Sequence, residues 1–272
     1  MGKFTGYLIC TDCDGTLTYE PGKVSEENAQ AIRYFQQEGG VFTLATGRFP
    51  DHAELFQDKI QMNAPMVSLN GTLLYDTGKK QLIEKWGTPT ASFYEVLSYV
   101  QENYPDIWDF WMNGEYDNGT FGSVGYNPSE HQNKAKSLKE TLEVFPREML
   151  KMVIAAPADV ISKLQPDLKH KFGTRFRFDT SWPEGLEIQR ADSGKGIAVR
   201  YLKNHLDQKI HTTIGIGDFE NDITLLEYAD IGYAVSNAID SVKKIADRQT
   251  VSNREHALAA VIEEIERGIQ NG

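Results

Sequence analysis

The chain has 272 residues, 40% of them hydrophobic and 11% aromatic, which is enough for a packed core and more than one simple domain needs. Its formal net charge of −11 excludes nonspecific binding to nucleic acid or to an anionic membrane surface, because both require a basic face. An anionic substrate must therefore be met by a few local cations or by a metal. No charged-then-apolar leader opens the chain, and no apolar run approaches the ~18 residues of a membrane span, so a soluble, untargeted, cytoplasmic protein is expected.

The first apolar run, Tyr7 to Cys10, reads as a buried strand of a parallel sheet. It stops at Asp12-Cys13-Asp14 and turns at Gly15-Thr16. Side chains alternate along an extended segment, so Asp12 and Asp14 leave the strand end on the same side. The carboxyl ends of buried strands are where open α/β sheets place ligands. A lone D-x-D is most simply a capping acid and a turn acid; the rest of the chain argues for more. Cys10 and Cys13 form a C-x-x-C, but no second Cys pair exists and the six histidines are scattered, so neither zinc nor redox chemistry is expected of them. Cys10 reads as a small core residue and Cys13 as a spacer.

Ser25 with Glu26 and Glu27 reads as a helix cap and acidic first turn, and Ala29, Ile32 and Phe35 follow at helical spacing up to Gly39-Gly40. Val41–Ala45 is a second strand, followed at once by Thr46-Gly47-Arg48, and Pro50 opens a helix expected to reach about Ile60. Met66–Leu69 is a third strand closed by Asn70-Gly71, and Leu73–Tyr75 with Gln81–Glu84 makes a hairpin. From about Trp86 to Trp182 the texture changes: all four tryptophans fall here, with Asn-Gly turns at Asn113 and Asn118. Lys151–Ala156 reads as a strand, the segment after Pro157 as a helix, and Arg175–Phe178 as a half-exposed strand. The basic cluster Lys169, Lys171, Arg175 and Arg177 is expected to be a solvated face, not a nucleic-acid patch. This interval is taken as an inserted α/β domain, 86–187, within a core of 1–85 and 188–272.

The βα rhythm then returns. Ser193 begins a helix carrying Lys195, Thr213–Ile216 is a strand ending in Gly217-Asp218-Phe219-Glu220-Asn221-Asp222, and a helix runs to about Tyr228. Strand Ile231–Val235 follows, Asn237 opens another helix, and a last helix fills roughly Arg254 to Arg267. Alternating strands and helices with short joins make a doubly wound, mostly parallel, Rossmann-like sheet.

Asp12/Asp14, Thr46-Gly47, Asp218/Asp222 and Lys195 all fall at strand ends or helix starts, so one sheet gathers them in space. Acids from two strands make a hard, oxygen-rich site suited to Mg²⁺. A lysine and a hydroxyl beside them suit a phosphate. A carboxylate attacking a phosphate monoester meets like charge, about 4 kcal/mol per unit pair at 4 Å and an effective dielectric near 20. A divalent metal and an ammonium offset that repulsion.

Taken in order, Asp12-Cys13-Asp14-Gly15-Thr16-Leu17, Ala45-Thr46-Gly47-Arg48, Lys195-Gly196 and Gly217-Asp218-Phe219-Glu220-Asn221-Asp222 resemble the four motifs of the haloacid dehalogenase-like superfamily. Asn70-Gly71, the insert, and Ala234-Val235-Ser236-Asn237-Ala238 resemble its subfamily IIB of Cof-type phosphatases. The resemblance implies that Asp12 is the nucleophile and an Mg²⁺ ligand. It makes Asp14 the general acid/base, ligating the metal through its backbone carbonyl, with Asp218 as a third protein ligand and Asp222 supporting the metal from behind. Thr46, Gly47, Lys195, Asn221 and the backbone of Cys13 hold the phosphate. Arg48 and Asn70-Gly71 face the cap and the rest of a small phosphorylated metabolite, most simply a sugar phosphate. The insert is implied to be the cap that selects the leaving group.

Two positions depart from the family. Val235-Ser236 stands where Met-Gly is usual, and Glu255-His256 where Asp-Gly often precedes the last helix. Related ion-pumping ATPases carry Thr where Asp14 stands, so an acid there favours transfer to water. A phosphomutase or phosphotransferase uses the same residues and is the alternative enzyme. A silent phosphosugar-binding module would have lost one of Asp12, Asp14, Lys195 or Asp218, and all are present. No feature sets the oligomeric state.

Overall fold

The computed structural model describes residues 2–56, 58–116, 119–125, 133–134, 143–145 and 147–270; Asn118, of one expected Asn-Gly turn, lies outside them. The first segment holds β1 (Tyr7–Thr11), α1 (Glu26–Gln37), β2 (Val41–Leu44), β3 (Met66–Ser68), β4 (Leu73–Asp76) and β5 (Gln81–Lys85). Ser25 caps α1 by accepting from the Asn28 amide at 3.2 Å, and Ala29, Ile32 and Phe35 are its buried stripe. Pro50–Phe56 forms 3-10 turns, shorter than the helix expected to Ile60, because the Lys59 and Ile60 amides both return to the Phe56 carbonyl and close the segment there.

The middle segment holds α2 (Thr90–Asn103), β6 (Asp109–Glu115), β7 (Phe121–Gly125), β8 (Lys151–Ala155), α3 (Ala158–Phe172), β9 (Phe176–Trp182) and β10 (Gly185–Arg190). Its sheet runs Asn133–Lys134, β7, β6, β8, β10, β9, antiparallel except at the short first strand. Period-2 alternation puts Phe110, Met112, Met152, Ile154, Leu186 and Ile188 in one cluster with Phe93, Leu97, Leu164 and Phe172 of the two helices. The basic cluster is locally engaged: Arg175 pairs with Glu95 at 2.7 Å, Arg177 pairs with Asp179, and the Lys171 ammonium lies 4.1 Å over the Tyr99 ring. Trp111 and Trp182 stack at 6.3 Å, while Trp108 is 58% exposed.

The last segment holds α4 (Lys195–His205), β11 (Thr212–Gly217), α5 (Ile223–Tyr228), β12 (Ile231–Val235), α6 (Asp240–Ile245), β13 (Arg248–Thr250) and α7 (Ala257–Gln270). The core sheet runs β13-β12-β11-β1-β2, every pair parallel. A bridge from Ala45 to Val67 joins it to the group β3-β4-β5, in which β3 and β4 pair antiparallel. Leu8, Ile9, Ile214, Ile216, Tyr233 and Val235 have no exposed surface, as a sheet covered on both faces requires. Helix α6 starts at Asp240 and not at Asn237, because the Asn237 side chain is used elsewhere, donating to the Gly15 carbonyl and accepting from the Asn253 amide. Helix α7 starts at Ala257: His256 has a left-handed φ of 64°, which separates the capped turn at Ser252–Glu255 from the helix.

The fold is thus α/β, a doubly wound parallel core with an inserted second unit, and it divides into Met1–Glu84 with Gly194–Gly272, and Lys85–Ser193. Strand β10 crosses residue 187 and pairs with β8 and β9, so the inserted unit ends at Ser193. No helix of the described residues is long and apolar enough to cross a membrane.

Candidate active site

The register of β1 against β11 aligns their carboxyl ends: Thr11 stands opposite Ile216, and the Asp12 amide donates to the Ile216 carbonyl at 2.8 Å. The acids that follow each strand therefore meet. Carboxylate oxygens of Asp12, Asp218 and Asp222 lie within 4.8 Å of one another. Lys195, the first residue of α4, places its ammonium 2.6 Å from Asp12 Oδ1 and 2.5 Å from Asp222 Oδ1, with no exposed surface. Only glycine lets α4 approach so closely, since a Cβ on Gly196 would lie 1.9 Å from the Thr224 carbonyl oxygen.

Each acid is held by its own partners. Thr16 donates to Asp218 Oδ1 at 2.7 Å, across the turn made by Gly15 at φ +82°. Asp222 Oδ2 accepts from the Asp218 and Phe219 amides at 2.9 and 3.2 Å, so both its oxygens are engaged by the protein. Burial, and then the neighbouring Asp222 carboxylate, push Asp218 up to about 7. Burial likewise holds Asp12 well above the usual carboxylate range; the Lys195 charge opposes this, and Asp222 and Asp218 reinforce it. Burial alone would lower the Lys195 ammonium, but Asp12 and Asp222 outweigh it and hold the group protonated. Three carboxylates face one ammonium in a dry site, and their donors are all hard oxygens. That excess of negative charge and that donor set fit a divalent cation of the Mg²⁺ kind.

A second arm comes from β2 and β3. The Thr46 amide donates to the Val67 carbonyl and its own carbonyl accepts from the Asn70 amide, both at 2.9 Å; its hydroxyl accepts from the Arg48 amide at 3.2 Å. Leu69, Asn70 and Gly71 all have positive φ, of 47°, 54° and 89°, which turns Asn70 back toward Thr46. Asn221 donates to Asn70 Oδ1 at 3.2 Å, tying this arm to the Asp218–Asp222 loop. Thr46, Gly47, Asn70, Gly71 and Asn221 are thereby placed around one strand-end region.

Asp14 is placed differently from Asp12: its Oδ2 accepts from Arg48 Nε at 2.9 Å, and its carboxylate is outside the Asp12–Asp218–Asp222 group. The Cys13 carbonyl closes the turn by accepting from the Leu17 and Thr18 amides at 3.1 and 2.9 Å, and its thiol is buried and pushed up by that burial. Sequence reasoning did not single out Asn237 on Gly15, Thr224 against Gly196, or Thr16 on Asp218 as site residues. Only Thr16 carried a signal, as the residue that follows the D-x-D-G turn.

A family model described as haloacid dehalogenase-like hydrolase matches residues 9–262. The 5-amino-6-(5-phospho-D-ribitylamino)uracil phosphatase YitU of Bacillus subtilis is 24% identical, covering 95% of this chain and 97% of its own. A Haemophilus influenzae protein with a provisional phosphatase name is 33% identical, covering 94% of this chain and 97% of its own. A solved subclass IIB sugar phosphatase shares the fold with a TM-score of 0.77 at 18% identity, over 97% of this chain and 99% of its own. This chain belongs to the haloacid dehalogenase-like hydrolases, as a Cof-type phosphatase.

Proposed function

We propose that this protein is a Mg²⁺-dependent phosphatase of small phosphomonoesters, sugar phosphates foremost, and that Asp12 is its nucleophile. The observation that carries this reading is the buried Lys195 ammonium bonded to both Asp12 and Asp222 beside Asp218. It fixes the Asp12 carboxylate at a strand end and keeps positive charge next to it.

Asp12, Asp218 and the Asp14 backbone carbonyl would hold Mg²⁺, with Asp222 bracing the group. When bound, the ion supplies positive charge that offsets repulsion between carboxylate and phosphate and stabilises the transferring oxygens. The chain's own residues do the rest. An Asp12 oxygen attacks phosphorus, the ester P–O bond breaks, and the leaving oxygen takes a proton from the Asp14 carboxylic acid. Asp14, now a carboxylate, takes a proton from water as that water attacks the aspartyl phosphate. The bond between Asp12 and phosphorus breaks, releasing inorganic phosphate and restoring the carboxylate.

Thr46, Gly47, Asn221, Lys195 and the Cys13 main chain hold the phosphate through these steps. Arg48, which the structure pairs with Asp14, and Asn70 with Gly71 meet the remainder of the substrate. The Lys85–Ser193 unit serves as the cap that selects the leaving group. A polyol leaving group is supported by the sugar phosphatase with the same fold and by the ribityl phosphate in the name of the Bacillus relative.

Phosphate release from a panel of phosphomonoesters, with Mg²⁺ and with EDTA, tests the reading. Mg²⁺-dependent release from a few sugar phosphates is expected. Transfer to a sugar hydroxyl with no free phosphate would make the protein a phosphotransferase, and no turnover of any ester would refute the enzyme reading.

A further inference from the structure

The C-x-x-C of the sequence has no second pair to complete a metal site, and Cys10 is sealed inside β1. Cys13 is different, because the turn after the strand brings it to a residue far along the chain. Cys13 Sγ, an Asp14 carboxylate oxygen and a His52 ring nitrogen lie within 4.8 Å of one another. His52 enters from the 3-10 turns at Pro50–Phe56, and its ring packs edge-to-face on Phe56 at 5.3 Å. Its Nε2 is shielded from solvent and has no hydrogen-bond partner among the described residues. A buried polar atom left without a partner calls for one. Cys13 is a free, buried thiol, and Asp14 meets Arg48 through Oδ2, so its other oxygen is not used by that pair.

Sulfur, imidazole nitrogen and carboxylate oxygen make a donor set unlike the all-oxygen group of Asp12, Asp218 and Asp222. Hard Mg²⁺ takes oxygen, whereas zinc is bound by Cys, His and carboxylate at about 2.0–2.3 Å, which spaces tetrahedral ligands roughly 3.3–3.8 Å apart. The donors lie within 4.8 Å of one another, so binding requires the three side chains to draw together to that range.

We propose that Cys13, Asp14 and His52 form a second metal site, for a borderline-soft divalent ion such as Zn²⁺, and that filling it switches the enzyme off. Cys13 binds as thiolate, its proton leaving to solvent as the metal–sulfur bond forms. The ion takes the Asp14 carboxylate out of proton transfer; this inhibitory effect rests on the acid/base role proposed for Asp14, whereas the binding does not. Because the donors differ from those of the Mg²⁺ group, added Mg²⁺ does not relieve the inhibition.

Two measurements on the full chain test this. Co²⁺ added in the presence of excess Mg²⁺ should give an intense thiolate-to-metal charge-transfer band in the near-ultraviolet. Zn²⁺ should inhibit turnover at saturating Mg²⁺, and His52→Gln should keep basal turnover while raising the half-inhibitory Zn²⁺ concentration ~10-fold or more, the scale on which metal sites respond to loss of a partner. His52→Cys, which supplies another soft ligand, should stay sensitive. The Co²⁺ band is read without any substrate, so it judges the site even if no phosphomonoester is turned over. A Co²⁺ complex lacking the band, or Zn²⁺ inhibition that Mg²⁺ relieves and His52→Gln leaves unchanged, overturns the proposal.

Discussion

Replacing Lys195 with Met keeps the length of the side chain but removes the cation bonded to Asp12 and Asp222. Both carboxylates have under a tenth of their surface exposed, and the lysine has none, so water cannot take its place. Breaking a buried pair by removing one partner costs ~3–5 kcal/mol, since a buried charge is left uncompensated. In a chain of this size each kcal/mol moves the melting temperature by about 2–4 °C, so a drop of roughly 6–20 °C is expected in EDTA at pH 8. The loss should shrink toward pH 5, because Asp12 and Asp218 titrate high and protonation relieves the crowding. Turnover should fall as well, by ~10²–10³, the scale for deleting one preorganised donor at a developing charge. Differential scanning fluorimetry and steady-state kinetics on the same preparations read both effects. A variant that melts within about 2 °C of wild type and turns over normally would refute the charge-balancing role of Lys195.

Asp12→Asn should abolish turnover while leaving the circular dichroism spectrum and the metal-free melting temperature unchanged or higher, because it removes one charge from a crowded group. Normal turnover in that variant would remove Asp12 as nucleophile. Asp218 titrates near 7 when folded against 3.8 ordinarily, so the folded state binds the extra proton between those values. Its contribution to stability is present below about pH 4 and is lost as the pH rises through about 7. Metal-free wild type should therefore lose stability from pH 5 to 8 relative to Asp218→Asn, and Mg²⁺ should restore it at pH 8; parallel melting curves for the two proteins would contradict this. Gly71→Ala places a Cβ 2.3 Å from the Gly194 carbonyl oxygen at a φ of +89°. It should cost ~2 kcal/mol or more in urea unfolding and lower activity by displacing Asn70, and an unchanged urea midpoint would show the backbone there to be adaptable.

The core was legible because its signals are local. The runs from Tyr7, Val41, Thr213 and Ile231 are continuous apolar stretches bounded by turns, and the structure makes each a parallel strand. Placing Asp12, Thr46, Lys195 and Asp218 at one end of the sheet followed from topology alone. Finer partnerships did not. Lys195 reads in sequence as a lysine at a helix start, yet its ammonium bridges Asp12 and Asp222, a choice made by the close approach of α4 that Gly194 and Gly196 permit. Arg48 follows Thr46-Gly47 in sequence, but only the folded turn after β1 brings Asp14 to it. Asn237 reads in sequence as the opening of a helix, yet its side-chain amide is committed to the Gly15 carbonyl. His52 carries no motif, and only three-dimensional packing sets it beside Cys13 and Asp14.

In the proposed reaction the phosphoryl group passes through Asp12. The measurement that tests it most directly is an acid quench within the first turnover, with Mg²⁺ and a sugar phosphate found to be turned over, followed by peptide mass spectrometry. One phosphoryl group is expected on the peptide carrying Asp12, absent in EDTA and absent from Asp12→Asn. Turnover at full rate with no phosphoryl group on that peptide, or with one on another residue, would contradict it.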